Sequence, residues 1–276
     1  MMSLVPPPSD WDNVADFDEI AASKRKDKAL LEDLRGSIVA SYRRYRERAP
    51  EFDFAPASLD EEQRKALREC YAPNLRTNAC ASMLERLYRL NHGRFDCPLC
   101  GIGEHTTWDH YLPQATFPEF AVCVYNLVRS CASCNERRVD RWRGTQGRLI
   151  LHMYYDAIEQ EELLLEANVN VIGQELRVAY RLRSSADDPG HAGRFARHCE
   201  TLGLLSRFER AARACLYDYV DDLRGHVEPA TIVARLERTA LLRARRYGLN
   251  HWQPALYRGA ATSTSFIRYI IQGTAP

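Results

Sequence analysis

The sequence predicts an α+β fold, mainly helical, on three observations. Helical periodicity governs the chain before residue 95 and again after residue 190, a period-two pattern interrupts it near residues 161–182, and two Cys-x-x-Cys pairs lie between, separated by 30 residues. At 276 residues the chain is long enough for two compact units, or for one catalytic module with helical additions. A composition of 45% hydrophobic and 27% charged residues is that of a soluble globular protein and argues against general disorder. No run approaches the roughly 18 apolar residues of a spanning helix, and the start MMSLVPPPSDWDN lacks both the basic and the apolar region of an export signal. A cytoplasmic protein without a membrane partner is the expectation.

Charge narrows the classes further. With 38 Lys and Arg against 37 Asp and Glu, the net charge of +1 does not by itself point to a polyanionic partner, so only a local patch can. Four of the basic residues are lysines (Lys24, Lys26, Lys28, Lys65), so the abundance of arginine reads first as a compositional habit. Nine cysteines are an odd number in a chain without an export signal, which favours metal binding over a disulfide framework.

Residues 1–12 carry Pro6, Pro7 and Pro8 and read as an extended, frayed arm. Residues 16–48 read as one helical stretch with Ala29, Leu30, Leu34, Ile38, Val39 and Tyr42 on one stripe, and with Arg43, Arg44, Arg46 and Arg48 where the macrodipole favours cations. Ser58 followed by Glu61 has the spacing of a capping box that opens a second helix to about Tyr71, and Asn78 to Leu90 reads as a third. Residues 1–95 balance 16 basic against 16 acidic side chains, so this region is not a basic nucleic-acid arm. Beyond Asp156, ELLLEANVNVI and QELRVAYRL alternate around Gly173 as a β-hairpin. Helices follow at about 191–203, 206–224 and 229–247, with Pro229 in a first turn and Gly225 and Gly248 at exits, and a last short helix runs from Thr262 to Ile271. The segments 1–95, 96–157 and 158–276 are expected as an N-terminal helical region, a central module, and a C-terminal hairpin with helices. The phosphate-binding pattern GxxxxGK[ST] is absent, so nucleotide hydrolysis would have to come from another chain.

Each Cys-x-x-Cys pair presents two thiolates from one tight turn, and Cys97, Cys100, Cys131 and Cys134 together make a closed tetrahedral Zn²⁺ site. Such a site has no open position for water, so it is structural. Cys70, Cys80, Cys123, Cys199 and Cys215 lack ligand spacing and read as small core residues. Residues 129–148 hold Arg129, Arg137, Arg138, Arg141, Arg143 and Arg148 against Glu136 and Asp140. This basic patch fits phosphate contacts, for which Arg129, Arg137, Arg138 and Arg141 are the candidates, and one or two of its arginines are expected to pair with the acidic N-terminal helices. Trp142 reads as a packing anchor.

Between the pairs runs WDHYLPQATFPEFAVCVYNLVRSCASCNERRVDRW. Asp109-His110, a Pro directly after the next Leu (Leu112-Pro113), Asn126-Leu127-Val128, and a Cys-x-x-Cys followed at once by Asn135 occur in the order that resembles the HNH nucleases of the ββα-metal fold. The likeness is greatest to zinc-stapled members whose third signature residue is Asn, and it covers about residues 96–143. The resemblance implies metal-dependent hydrolysis of DNA phosphodiesters. Asp109 and Asn135 would then be the ligands of a catalytic Mg²⁺ or Mn²⁺, both being oxygen donors suited to a hard cation. His110 would be the general base and Asn126 would bond backbone across the loop to hold that histidine. Many relatives have Lys where Arg138 falls, a change of type but not of charge. His105, four residues before Asp109, is expected at the solvent, and His152 in LILHMYYD is carried as a further residue lining the cleft. The whole-chain layout is similar to nuclease subunits of bacterial anti-phage systems such as Septu, which implies an ATPase partner. The rival class is a zinc-ribbon module that binds nucleic acid or a protein partner without cutting.

Overall fold

The computed structural model describes residues 4–49, 51–72, 78–91, 95–156, 162–223 and 228–272. Where one helix was expected over 16–48 there are two, α1 (Asn13–Ser23) and α2 (Lys28–Arg48). Phe17, Ile20 and Ala21 bury one face of α1, whereas Lys24-Arg25-Lys26-Asp27 offers nothing apolar to bury, and the chain turns there. Asp12 caps α1 by accepting from the Ala15 amide at 2.9 Å. Helix α3 (Glu61–Cys70) does open with a capping box, but one set two residues later than Ser58 and Glu61. The Asp60 carboxylate accepts from the Gln63 amide at 2.8 Å, and Gln63 Oε1 accepts from the Asp60 amide at 3.0 Å. Helix α4 (Ala79–Leu90) begins at the Asn78 cap.

The N-terminal arm, expected to fray, is tied down over its described part. The Leu4 amide donates to Met153 O at 2.8 Å, Val5 exchanges bonds with the Asn91 side chain, and Tyr125 Oη donates to Pro8 O at 2.9 Å. Successive prolines hold this segment extended in advance, which lowers the entropy lost in docking it.

The central module is an antiparallel pair, β1 (Thr107–His110) with β2 (Leu127–Ser130), followed by α5 (Ala132–Arg138). A small hairpin, β3 (Arg143–Gly144) with β4 (Gly147–Arg148), follows. The C-terminal region holds the expected hairpin, β5 (Leu165–Ile172) with β6 (Glu175–Leu182), turning at Gly173, whose φ of +65° suits glycine. Helices α6 (His191–Thr201), α7 (Leu204–Leu223), α8 (Pro229–Tyr247), α9 (Trp252–Ala261) and α10 (Thr264–Gln272) complete the chain. Helix α7 packs on β6, α9 and α10 pack on β5, and α8 covers α9. The exit expected at Gly248 is present, while Gly225 lies outside the described residues. One apolar core runs without a break from α1 through the module to α10. Among the described residues no helix is long and apolar enough to cross a membrane.

Helix α9, which contains both Pro254 and Gly259, has no counterpart among the sequence expectations. Pro254 falls in the first turn, where its missing N–H costs nothing. Gly259 lets α9 approach β5 so closely that an added Cβ would stand 2.2 Å from Ala167 O. Gly36, exposed in mid-α2 with open space around it, is the opposite case. Gly259→Ala should therefore lower the unfolding midpoint, by about 1–3 kcal/mol of overpacking, and Gly36→Ala should raise it by roughly 0.5–1 kcal/mol. Urea titrations of the two variants check the pair, and equal effects would contradict this packing.

Candidate functional site

The register of β1 and β2 sets the site. Thr107 pairs with Ser130, Trp108 with Arg129, Asp109 with Val128 and His110 with Leu127. Alternation along the strand puts Trp108 and His110 on one face and Thr107 and Asp109 on the other. Helix α5 packs against β1.

At the base of this unit the four sulfurs of Cys97, Cys100, Cys131 and Cys134 lie within 4.8 Å of one another, all buried. A tight turn closed by the Gly101 amide on Cys97 O (2.7 Å) carries the first pair, and the first turn of α5 carries the second. The cluster can hold a metal such as zinc, which suits four thiolates in tetrahedral array. The C-terminal region then grips it. From α7, the buried Arg207 guanidinium donates to Cys134 Sγ at 3.2 Å, Cys100 Sγ at 3.4 Å and Cys131 Sγ at 3.7 Å. His198 of α6 bonds Leu99 O at 2.8 Å through Nε2 and accepts from the Leu151 amide through Nδ1, and Trp252 Nε1 donates to Gly101 O at 2.7 Å. Gly101 itself has φ +65°, and a Cβ there would stand 2.2 Å from His251 Nε2.

Asp109, His110 and Asn126 are buried at the other end of the β1–β2 pair, and Asn135 is half-buried one turn before Arg138 on α5. The Asn126 amide spans the loop between the strands. Its Nδ2 donates to Leu112 O at 3.0 Å and Phe120 O at 3.2 Å, while its Oδ1 accepts from the Leu112 amide at 2.7 Å and from Tyr45 Oη at 3.1 Å. Next in the stapled loop, Ala121 O lies 2.9 Å from His110 Nε2. A carbonyl only accepts, so Nε2 carries the proton and Nδ1 is left as an acceptor. Burial pushes the His110 pKa below the usual imidazole value, so the ring is neutral at neutral pH. Tyr71 stands edge-on to it, 4.5 Å between ring centres.

The expected phosphate contacts divide. Arg138 is 2% exposed, donates to Asp109 Oδ2 at 2.6 Å and also bonds Tyr111 O, so it is an internal partner of the carboxylate and does not face phosphate. The i,i+3 spacing on α5 puts Asn135 on the same helix face as Arg138. Arg129 is half-buried between the Tyr88 and Trp108 rings and bonds His105 through Nδ1 and O. His105 is consequently buried and not at the solvent. Arg143, though exposed, pairs with Asp53 and Arg148 with Asp156, leaving Arg137 and Arg141 as the exposed members with no ion pair among the described residues, beside the loop that precedes α7. The expected pairing with the N-terminal helices is met only in part, because among the described residues Arg143 pairs with Asp53 in the loop between α2 and α3.

His152 does not line a cleft. It is fully buried, stacked on Phe52 at 4.9 Å and bonded to Tyr45 Oη at 3.1 Å, and burial pushes its pKa down to about 3. Trp142 packs edge-on against Phe117 as an anchor. Of the remaining cysteines, Cys70, Cys80, Cys123 and Cys199 are buried and Cys215 is partly so. Arg207, Tyr45, Tyr71 and His198 carry no motif, and no sequence signal singles them out.

Two outcomes follow from this site. Purified protein should contain about one zinc per chain, with Cys131→Ser lowering the melting temperature. Arg207→Met should cost roughly 1.5–3 kcal/mol through lost charged hydrogen bonds, and unchanged melting in both variants would show that the cluster is not a staple. His152 and His198, with pKa values of about 3 and about 4 against 6.5 unfolded, bind protons more readily in the unfolded chain. Their contribution is complete above pH 6.5 and is lost progressively as pH falls toward those values. The urea midpoint should fall between about pH 7.5 and about pH 5.

No protein-family model matches this chain, and no solved structure matches it. Over 202 residues the chain is 26% identical to Protein ea31 of Escherichia phage lambda, a match that covers 63% of this chain and 64% of that protein.

Proposed function

We propose that the chain is a metal-dependent endonuclease of the HNH type that hydrolyses DNA phosphodiester bonds, with zinc in the four-sulfur site as a structural staple. The observation that carries this reading is the imidazole of His110. It is buried, neutral, and fixed at Nε2 by a carbonyl whose loop is stapled by Asn126, and among the described residues its Nδ1 makes no hydrogen bond. His198, by comparison, has both nitrogens engaged, whereas the buried His251 leaves its Nε2 unpartnered among the described residues, against Gly101 and away from any carboxylate or amide of the strand pair. His110 instead presents one acceptor, the arrangement a general base needs to take a proton from water.

The oxygen donors beside it suit a hard cation. Asp109 Oδ2 is held by Arg138, which leaves Oδ1, and Asn135 supplies an amide oxygen from the same face of α5. Such a cation, Mg²⁺ or Mn²⁺, would supply charge stabilisation at the phosphate and at the departing 3′ oxygen. Arg138 orients the carboxylate and limits the negative charge that the pocket must bury. Arg137 and Arg141, exposed at the end of α5, would meet flanking phosphates. The similarity of layout to Septu-type subunits supports a cytoplasmic defence role with an ATPase partner controlling the cut. One observation favours a non-cutting zinc-ribbon module instead, namely that Asp109 is already ion-paired within the protein.

Incubation of plasmid DNA with the protein and Mg²⁺ or Mn²⁺, with the ATPase partner added where one is found, separates the two. His110→Ala should retain zinc and DNA binding while cleavage falls by about 100-fold or more, whereas Asp109→Ala and Asn135→Ala should regain activity in part at higher metal concentration. Asn126→Ala should fall between them, and wild-type rates from His110→Ala would end this mechanism. The double variant Arg137→Ala/Arg141→Ala should flatten the salt dependence of DNA binding by about one counterion per lost contact. Arg138→Ala should instead lower stability, because it leaves the Asp109 carboxylate buried without its partner.

A further inference from the structure

A groove of about 950 Å³ runs between α4 and the outer face of β1, at the upper end of the range of roughly 300–1,000 Å³ typical of ligand sites. Its strand wall is Trp108 with Arg129, directly paired in register, and its helix wall carries Tyr88. At one end stands Tyr71, whose other side is the ring contact with His110. Since Trp108 and His110 project from the same face of β1, anything lying along the groove is directed past Tyr71 toward His110.

The chemistry of the two walls differs. Trp108, Tyr88 and Tyr71 are each half-buried, with part of each ring left to the groove. Arg129 is clamped between two of these rings and already bonds His105, so its role is to stiffen the aromatic wall and lend it positive potential. On the helix side, beside Tyr88, stand Glu85, which is paired with Arg89 at 3.0 Å, and Glu19, carboxylates that do not attract a phosphate backbone but accept hydrogen bonds from the amino groups of bases. A duplex keeps its bases stacked inside and shows phosphates outward, so it offers this groove nothing to stack and brings its phosphates against the Glu19 carboxylate. His110 is moreover only 8% exposed, recessed behind Tyr71.

We propose that this groove takes unpaired nucleotides of a DNA strand, bases stacked against Trp108, Tyr88 and Tyr71 and backbone passing toward His110, so that the substrate is single-stranded or locally unpaired DNA. The assignment rests on the nuclease reading above for what happens to the strand, but the binding does not. Aromatic stacking of successive bases is tolerant of sequence, so the groove gives a preference for strand form and little for sequence.

The test uses the full chain with zinc present and no added Mg²⁺ or Mn²⁺, and measures anisotropy of a labelled single-stranded oligonucleotide and of the same sequence as a duplex. Wild type should bind the single strand more tightly than the duplex. Tyr88→Leu, which removes one ring and keeps apolar bulk, should weaken single-strand binding by roughly 5- to 150-fold, the loss expected for one stacked base. Ser82→Met, at an exposed position of α4 on the groove, should weaken it by filling the space while leaving the core untouched. Equal or tighter binding of the duplex, or single-strand affinity unchanged in both variants, overturns the proposal. Failure of the wild type to cleave any DNA with metal restored, while both variants still lose single-strand affinity, would sink the nuclease reading and sustain the groove. Cleavage of the duplex as fast as the single strand by wild type and both variants would do the reverse.

Discussion

Four cysteine sulfurs within 4.8 Å of one another cannot all be charged without a cation among them, and this constraint organises the molecule around residues 97–134. A metal such as zinc would meet it from within, and Arg207 meets it from outside by donating to three of the four sulfurs. The cluster thereby fixes the position of α7, and with α7 the hairpin β5–β6 that packs on it. His198 and Trp252 hold the backbone of the same turn from α6 and α9. The module is small, with two four-residue strands and a seven-residue helix, and such a unit buries too little apolar surface to be stable by itself. Its neighbours supply what it lacks.

The same economy appears at the opposite end of the strands. Asn126 is wholly buried, and an amide so placed must have its donors and acceptor satisfied, which it does by crossing the loop and meeting Tyr45 from α2. Tyr45 also bonds His152 and packs against Phe52, Phe54 and Phe120, so α2 reaches the site through this phenol. The position of Ala121 O, and so the orientation of His110, follows from this network and not from β1 alone.

Four of the arginines serve as internal cations here. Arg138, Arg148, Arg197 and Arg207 are all buried, each bonded to a carboxylate, a carbonyl or a sulfur. A guanidinium keeps its charge at any physiological pH and spreads five donors over several acceptors, which makes it suited to neutralising a recessed site. The surface patch expected from six arginines in residues 129–148 is correspondingly reduced to Arg137, Arg141 and the ion-paired Arg143.

The amino-acid sequence by itself determined the α+β class, most helix positions, the hairpin at Gly173 and the four-cysteine cluster, because periodicity, capping chemistry and ligand spacing are local properties of the chain. It also marked Asp109, His110, Asn126 and Asn135, whose order and spacing resemble a known motif. Only the tertiary structure decided which partner each charged or polar side chain takes. Arg138 meets Asp109 across 29 residues of chain and Arg207 meets Cys100 across 107, and no local rule chooses between a phosphate, a carboxylate and a sulfur for a guanidinium. His152 and His105 went to the interior for the same reason, since the rings and arginine that enclose them come from distant segments. Helix α9 and the docking of the N-terminal arm likewise depended on surfaces made elsewhere, where a proline in a first turn and a glycine against a carbonyl favour the packed state they would disfavour alone.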